Sequence, residues 1–175
     1  SVPLPLDARG ADGPNVVEVK DVLSGKAQVG NNVLVVDYDH STQALTTADF
    51  LASQGKTVEF FCDEFTPGYR IDNIDSNIRW PLFQRLFREQ VKINTHCVVK
   101  EIRGSEVGVA NTITGEERVI PGIDTVVYCC GDRENNALYL ELKGKVNDLR
   151  IIGDAAGPRK LVQATADGAR VGREI

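Results

Sequence analysis

Hydrophobic residues occur along this chain either in short continuous runs or at helical spacing, and each change of spacing predicts a new element. Residues 33–36 form a continuous apolar run, which is typical of a parallel strand that is buried on both faces. Residues 42–53 then carry an apolar stripe at helical spacing, and residues 58–62 form another strand-like run. A strand, a helix and a strand in this order predict a β–α–β unit with a right-handed crossover.

The later pattern extends the same sheet and adds a smaller one. A helix is predicted over 77–90, and strands over 91–95 and 124–130 are predicted to join the parallel sheet. Between these strands lie alternating segments that end at glycine-containing turns and predict an antiparallel meander: 97–102, 106–113 and 117–120. The predicted fold class is therefore α/β, a Rossmann-like three-layer domain with a parallel sheet and a small antiparallel β-meander.

The two ends of the chain differ from this central region. Residues 1–30 contain several prolines and glycines and are interpreted as an irregular arm or linker, although 15–19 has the composition of a short strand. The Rossmann-like domain is placed at 31–134. Residues 135–175 predict a short helix, a last strand at 149–152 and a closing helix that is rich in small residues.

The turn after the first apolar strand is unusual for this fold. A dinucleotide-binding β–α–β unit normally carries G-x-G-x-x-G there, so that the backbone can approach a pyrophosphate. The three glycine positions hold Asp37, Asp39 and Thr42 in this chain. The repulsion between a carboxylate and a phosphate ~4 Å apart costs on the order of 4 kcal/mol. The attraction of a phosphate to a helix dipole contributes at most ~2 kcal/mol, so the repulsion is larger. The sequence therefore predicts that this turn does not bind NAD(P)H.

Composition narrows the class of partners. The chain has 175 residues, of which 42% are hydrophobic and 26% charged, and its net charge of −5 argues against nucleic acid or an anionic membrane as partner. Neither a membrane-spanning apolar run nor a signal-peptide pattern is present in the sequence, so a cytoplasmic location is expected. Because the chain has no methionine, we expect it to be a fragment of a longer polypeptide.

Few side chains carry a chemical signature. The four cysteines form no C-x-x-C pair and are expected to be buried, reduced thiols. His40 is expected on a solvent-exposed loop, and neither it nor His96 belongs to a Ser/His/Asp set or a metal-spaced cluster, so no catalytic and no metal-binding residue is predicted. Asp63 follows the second strand, where an acid would meet a cofactor ribose, although acids are common at strand ends in any protein.

Two motifs near the C-terminus point to a family. Residues 150–159 read R-I-I-G-D-A-A-G-P-R, and residues 164–170 read A-T-A-D-G-A-R. Together with residues 33–55, they make the chain resemble the C-terminal region of the trimethylamine dehydrogenase and 2,4-dienoyl-CoA reductase family. These proteins are iron–sulfur NADH:flavin oxidoreductases related to old yellow enzyme, and the resemblance covers residues 15–175.

The resemblance implies a longer parent enzyme. Its N-terminal TIM barrel would bind FMN and a cysteine cluster would hold [4Fe–4S], both outside this chain. Two Rossmann-like domains would follow, arranged as in two-dinucleotide flavoproteins, with 31–134 inserted into the FAD- or ADP-binding domain to which 135–175 returns. In such a domain Gly153 would let the backbone approach the cofactor and Asp154 would bind its ribityl chain, so this chain would hold half of an ADP or FAD site.

The family has two branches, and the turn favours one of them. Dienoyl-CoA reductases keep the glycines and take hydride from NADPH, whereas the dehydrogenases lack them and pass electrons through the cluster to an electron-transferring flavoprotein. Similarity to the dehydrogenases implies a homodimeric parent whose barrel and electron-transferring flavoprotein are the partners of this region. Three alternatives stay open: a packing module that binds no nucleotide, an NAD(P)H-binding domain like that of the reductases, and a free-standing small Rossmann protein.

Overall fold

In the computed structural model, which describes residues 1–68 and 76–174, the chain divides into two units. The larger unit is Pro5–Cys130, and the smaller one combines Ser1–Leu4 with Gly131–Ile175. The predicted boundaries at residues 30 and 134 concern the domains of a longer parent and stay a prediction.

Helices and strands follow one another largely as the apolar pattern predicts. The strands are β1 (Val2–Pro3), β2 (Val16–Glu18), β3 (Asn32–Asp37), β4 (Thr57–Cys62), β5 (Lys92–Asn94), β6 (Cys97–Arg103), β7 (Glu106–Asn111), β8 (Glu117–Ile120), β9 (Thr125–Cys129) and β10 (Asp132–Arg133). The helices are α1 (Val19–Leu23), α2 (Thr42–Ser53), α3 (Ser76–Arg88), α4 (Ala137–Leu142) and α5 (Leu161–Val171). Of the helices described, none has the length and apolar character that crossing a bilayer requires.

Five parallel strands, in the order β2–β9–β3–β4–β5, form the sheet of the larger unit. β3 lies between β4 and β9, and its Val35 is opposite both Phe60 and Val127. The apolar run of β3 is buried throughout, because both faces of a parallel sheet of this kind are covered. β2 pairs with β9 at one edge, so part of the predicted arm, residues 1–30, belongs to the sheet.

Two hydrophobic clusters cover the two faces of this sheet. Successive side chains of a strand point to opposite faces. Val33 and Val35 therefore pack against α1, α2 and α3, whereas Leu34 and Val36 pack against the meander of β6, β7 and β8. The layers are thus helices, parallel sheet and antiparallel meander, and the predicted fold class is confirmed.

Helix α3 uses a narrower apolar face than its sequence suggests. Leu82 and Leu86 are fully buried, and they lie four residues apart on one stripe. Ile78 and Phe87 are apolar residues of the same helix but are 54% and 66% exposed. Only the stripe that points at the sheet is covered, so these two side chains are open to solvent.

The smaller unit contains less regular structure than predicted. β1 pairs with β10 in antiparallel fashion, and α4 and α5 are shorter forms of the two predicted helices. The strand predicted at 149–152 is wrong: these residues are coil and lead into a 3₁₀ turn at Gly153–Ala155. A strand needs a neighbour for its backbone N–H and C=O groups, and no strand in the described part of the chain pairs with this segment.

Candidate functional site

The turn between β3 and α2 lies at the carboxyl end of the parallel sheet, where open α/β folds bind their ligands. Asp37 ends β3, and its Oδ1 accepts the backbone N–H of His40 at 2.8 Å. The N–H groups of Tyr38 and Asp39 both donate to the carbonyl of Cys129 on the neighbouring strand, at 2.8 and 3.1 Å. The backbone donors that follow β3 are therefore directed at protein acceptors.

The start of α2 completes this closed turn. His40 has a left-handed backbone with φ 59°, a conformation that costs a residue other than glycine roughly 1–2 kcal/mol. Ser41 then caps the helix, because its Oγ accepts the N–H of Gln43 at 3.3 Å. The N–H groups of residues 38, 39, 40 and 43 are thus all occupied within the protein.

The Asp37 side chain points inward, away from where a pyrophosphate would lie. The residue is fully buried, and its Oδ2 finds no hydrogen-bond partner in the part of the chain that the structure describes. Burial raises the pKa of Asp37 from 3.8 to about 7, and the His40 N–H opposes this shift only in part. At neutral pH the Asp37 carboxyl is therefore only partly ionised. The predicted repulsion of a phosphate at this turn then comes chiefly from Asp39, which is half-buried.

Three buried side chains meet behind the turn: Asp37, His40 and Cys62. One ligand atom of each, a carboxylate oxygen, a ring nitrogen and Sγ, lies within 4.8 Å of the other two. The Cys62 Sγ is 3.8 Å from His40 Nδ1 and accepts the backbone N–H of Glu64 at 3.4 Å. Burial raises the pKa of the Cys62 thiol to about 12, with the nearby Asp37 and Asp63 adding to the shift.

The solvent-exposed position expected for His40 is wrong, since the residue is only 5% exposed. Its left-handed backbone, held by the Asp37 carboxylate, turns the ring toward the end of the sheet. Sequence reasoning also missed the grouping of His40 with Cys62. One signal was available: Asp37 and Cys62 are the last residues of adjacent parallel strands and lie opposite each other in register.

Asp63, the predicted ribose ligand, lies at the rim of these three side chains. Its Oδ1 is 3.4 Å from His40 Nε2, which is ion-pair distance, although the two atoms are not aligned for a hydrogen bond. The Asp63 side chain is 35% exposed. Asp63 therefore faces the imidazole ring, and its role toward a ribose stays a prediction.

The other cysteines have a different setting. All four cysteines are free thiols, and Cys62, Cys97 and Cys129 are buried. Burial, with the nearby acids, raises the pKa of Cys130 to about 12. A [4Fe–4S] cluster takes four cysteine ligands, whereas the group of possible metal ligands among the described residues contains one cysteine. The described residues therefore do not fit an iron–sulfur cluster.

Gly153 and Asp154 lie in the smaller unit, in the 3₁₀ turn that precedes α5. Gly153 has φ +62°, which favours glycine, and its N–H helps to lower the pKa of the nearby Asp167 carboxyl. The Arg159 guanidinium also bonds to Asp167 and is the main reason why the pKa of Asp167 is lowered. Asp154 is exposed and makes no hydrogen bond or ion pair with the other described residues. Its role toward a cofactor, like that of Gly153, stays a prediction.

Comparison with known proteins places this geometry in context. No protein-family model matches the chain. It is 31% identical over 188 residues to a metal reductase of Desulforamulus reducens, covering 93% of this chain and 27% of the relative. It is 35% identical over 135 residues to the N,N-dimethylglycine/sarcosine dehydrogenase of Chromohalobacter salexigens, covering 73% of this chain and 18% of that enzyme.

Solved structures agree with these relatives. The structure of 6-hydroxypseudooxynicotine amine oxidase from Pseudomonas geniculata matches with a TM-score of 0.86 at 27% identity, over 98% of this chain and 26% of that one. The chain belongs to the trimethylamine dehydrogenase and dienoyl-CoA reductase family. The similarity of the chain to these oxidoreductases confirms the resemblance inferred from the motifs. The chain spans about a quarter of the length of the metal reductase and of the amine oxidase.

The fold is shared more widely than the family. Thioredoxin reductase of T. acidophilum matches with a TM-score of 0.70 over 96% of this chain and 60% of that one, at 15% identity. At that identity the likeness concerns the fold alone. The likeness confirms that this member of the trimethylamine dehydrogenase family has a two-dinucleotide flavoprotein fold.

Proposed function

We propose that this chain is the C-terminal nucleotide-fold region of an FMN- and [4Fe–4S]-dependent NADH:flavin oxidoreductase or amine dehydrogenase. Its role is structural rather than catalytic. Substrate oxidation takes place in a TIM barrel outside this chain, where FMN and the cluster are bound. The family relationship and the quarter of the relatives' length that the chain spans support this division of labour.

The closed turn after β3 is the observation that carries the proposal. A pyrophosphate needs backbone N–H donors, and the donors of Tyr38, Asp39 and His40 are already bonded within the protein. A hydrogen bond to a charged group is worth roughly 1.5–3 kcal/mol, so a turn that withholds several of them loses most of its affinity for phosphate. The Asp39 side chain also stands where a nucleotide-binding turn has a glycine, which would let a phosphate approach the backbone. The turn therefore does not take NADH or NADPH.

The smaller unit supplies half of an ADP or FAD site. Gly153 has the backbone conformation that brings a chain close to a ligand, and the exposed Asp154 carboxylate has unused acceptors for ligand hydroxyl groups. The Gly153 N–H lies near the Asp167 carboxyl of α5 and helps to lower its pKa. In the cytoplasmic, homodimeric parent, this region packs on the barrel and shapes the surface that an electron-transferring flavoprotein contacts.

Calorimetric titration of the 175-residue chain with NADH, NADPH, ADP and FAD tests the proposal. NADH and NADPH are expected to bind with dissociation constants above ~1 mM, which corresponds to a binding free energy of less than about 4 kcal/mol. Because the chain supplies half of that site, ADP or FAD is expected to bind weakly but more tightly than NADH or NADPH, and Asp154→Asn should remove this difference. Glu134→Gln is the matched control, because Glu134 is an exposed acid of the same unit.

The outcomes separate the alternatives. Micromolar binding of NADPH would contradict the closed turn and favour a reductase-like NAD(P)H domain. If ADP and FAD bound no more tightly than NADH and NADPH, the smaller unit would hold no part of a nucleotide site and the chain would be a packing module. Equal losses in Asp154→Asn and Glu134→Gln would remove Asp154 from the site.

A further inference from the structure

We propose that Asp37, His40 and Cys62 form a binding site for a divalent cation of the zinc type. This inference goes beyond the proposed function, which assigns no ligand to the turn after β3. The three residues come from the ends of two adjacent strands and from the turn between β3 and α2. Asp37 and Cys62 lie opposite each other in the parallel register, so the sheet itself brings two of the donors together.

The donor set and its spacing suit zinc. Thiolate sulfur, imidazole nitrogen and carboxylate oxygen are the ligands that zinc takes in proteins. Bond lengths of ~2.3 Å to sulfur and ~2.0 Å to nitrogen put these two atoms about 3.5 Å apart across a tetrahedral ion. The Cys62 Sγ and His40 Nδ1 are 3.8 Å apart, and all three ligand atoms lie within 4.8 Å of one another. Side-chain shifts of about an ångström complete the site.

A separate observation at Asp37 points to a missing ligand. Its side chain is fully buried, and Oδ2 has no hydrogen-bond partner among the residues described. Buried carboxylate oxygens without partners are rare in folded proteins, and an ion is one of their ordinary explanations. The other oxygen, Oδ1, is fixed by the His40 N–H at 2.8 Å. Asp37 is therefore oriented, and one of its acceptors is left over.

The groups around the three residues have the arrangement of a metal site. His40 directs Nδ1 toward Cys62 and Nε2 toward Asp63, at 3.8 and 3.4 Å. A histidine that binds a metal through one nitrogen commonly has a carboxylate at the other, which orients the ring. The Glu64 N–H donates to Cys62 Sγ at 3.4 Å and favours the thiolate that a cation requires. Asp63 is 35% exposed and lies beside His40, so one edge of the cluster is close to solvent.

Cobalt titration of the full chain, after dialysis against a chelator, tests the site. Co²⁺ bound by Cys62 is expected to give one equivalent of binding and a thiolate-to-cobalt charge-transfer absorption, and Zn²⁺ should bleach it. Cys62→Ser should remove the charge-transfer band, and His40→Gln should weaken binding by 100-fold or more. Cys97→Ser and His96→Gln are the matched controls, because they change a cysteine and a histidine outside the cluster and should bind as the wild type does.

The wild-type chain alone can overturn the proposal, whether or not a variant folds. If it shows no charge-transfer band with Co²⁺ and no rise in Tm with Zn²⁺, the cluster is a buried polar contact and not a cation site. Equal loss of the band in Cys62→Ser and Cys97→Ser would assign the binding to another place. For any variant that loses binding, an unchanged far-ultraviolet circular dichroism spectrum shows that the fold is retained.

Discussion

A hydrogen bond between the meander and Tyr38, the residue that follows β3, helps to hold the meander on the sheet, and its removal has a predictable cost. The Tyr38 hydroxyl accepts the backbone N–H of Val99, in β6, at 2.8 Å. Val99 is 3% exposed, so water does not readily replace the phenol oxygen. Tyr38→Phe keeps the ring in place and leaves this N–H without an acceptor. An unsatisfied buried donor costs roughly 1–3 kcal/mol, and the variant no longer has to bury a hydroxyl, so we expect a net loss of about 1.5 kcal/mol.

Urea unfolding followed by circular dichroism measures this loss directly. The free energy of unfolding should fall while the m-value, which reports the surface exposed on unfolding, stays constant. Tyr128→Phe is the matched control: Tyr128 packs on the same cluster, and its hydroxyl makes no hydrogen bond to any other described residue. It should change stability by less than ~0.5 kcal/mol. A loss in Tyr38→Phe no larger than in the control would refute the coupling of sheet and meander through this bond.

Two further pairs of variants test the packing of the larger unit by the same urea unfolding. Gly10→Ala should cost ~2 kcal/mol more than Gly55→Ala, because both glycines have φ +79° but only at Gly10 would the new Cβ meet a backbone oxygen, that of Ile102 at 2.2 Å. Leu86→Ala should cost roughly 2–5 kcal/mol because Leu86 is fully buried, whereas Phe87→Ala, at a residue 66% exposed, should cost under ~1 kcal/mol. Equal losses at Gly10 and Gly55, or at Leu86 and Phe87, would contradict the packing described.

The larger unit could be predicted well because its own elements cover both faces of its sheet. The continuous apolar run of residues 33–36 gave a doubly buried strand, and the helical stripe gave α2 with the bounds that the structure shows, Thr42–Ser53. The same reasoning predicts too wide a buried face where the neighbouring elements cover only part of a helix. Phe87 is as apolar as its buried neighbours, yet nothing in the sequence states that α3 presents only the Leu82 and Leu86 stripe to the sheet.

The strand predicted at 149–152 failed for a related reason. Its leucine and isoleucines have strand propensity, but propensity does not supply the neighbouring backbone that a ladder requires. The candidate site was hard to predict because its members are far apart in sequence and their directions depend on one backbone conformation. The left-handed φ of His40 turns its ring inward to meet Cys62, and histidine is not a residue from which that conformation is expected.

Asp37 stands at the first glycine position of a nucleotide-binding turn, and its contacts explain how this turn keeps its shape without a bound phosphate. In a nucleotide-binding turn the ligand satisfies the backbone N–H groups at the start of the helix. Here the Asp37 carboxylate takes one of those donors, the His40 N–H, and the Cys129 carbonyl takes two more. The turn is therefore complete without a pyrophosphate. The carboxylate that closes the turn must be buried to reach His40, so the residue that completes the turn also places an oxygen beside Cys62, as the proposed cation site requires.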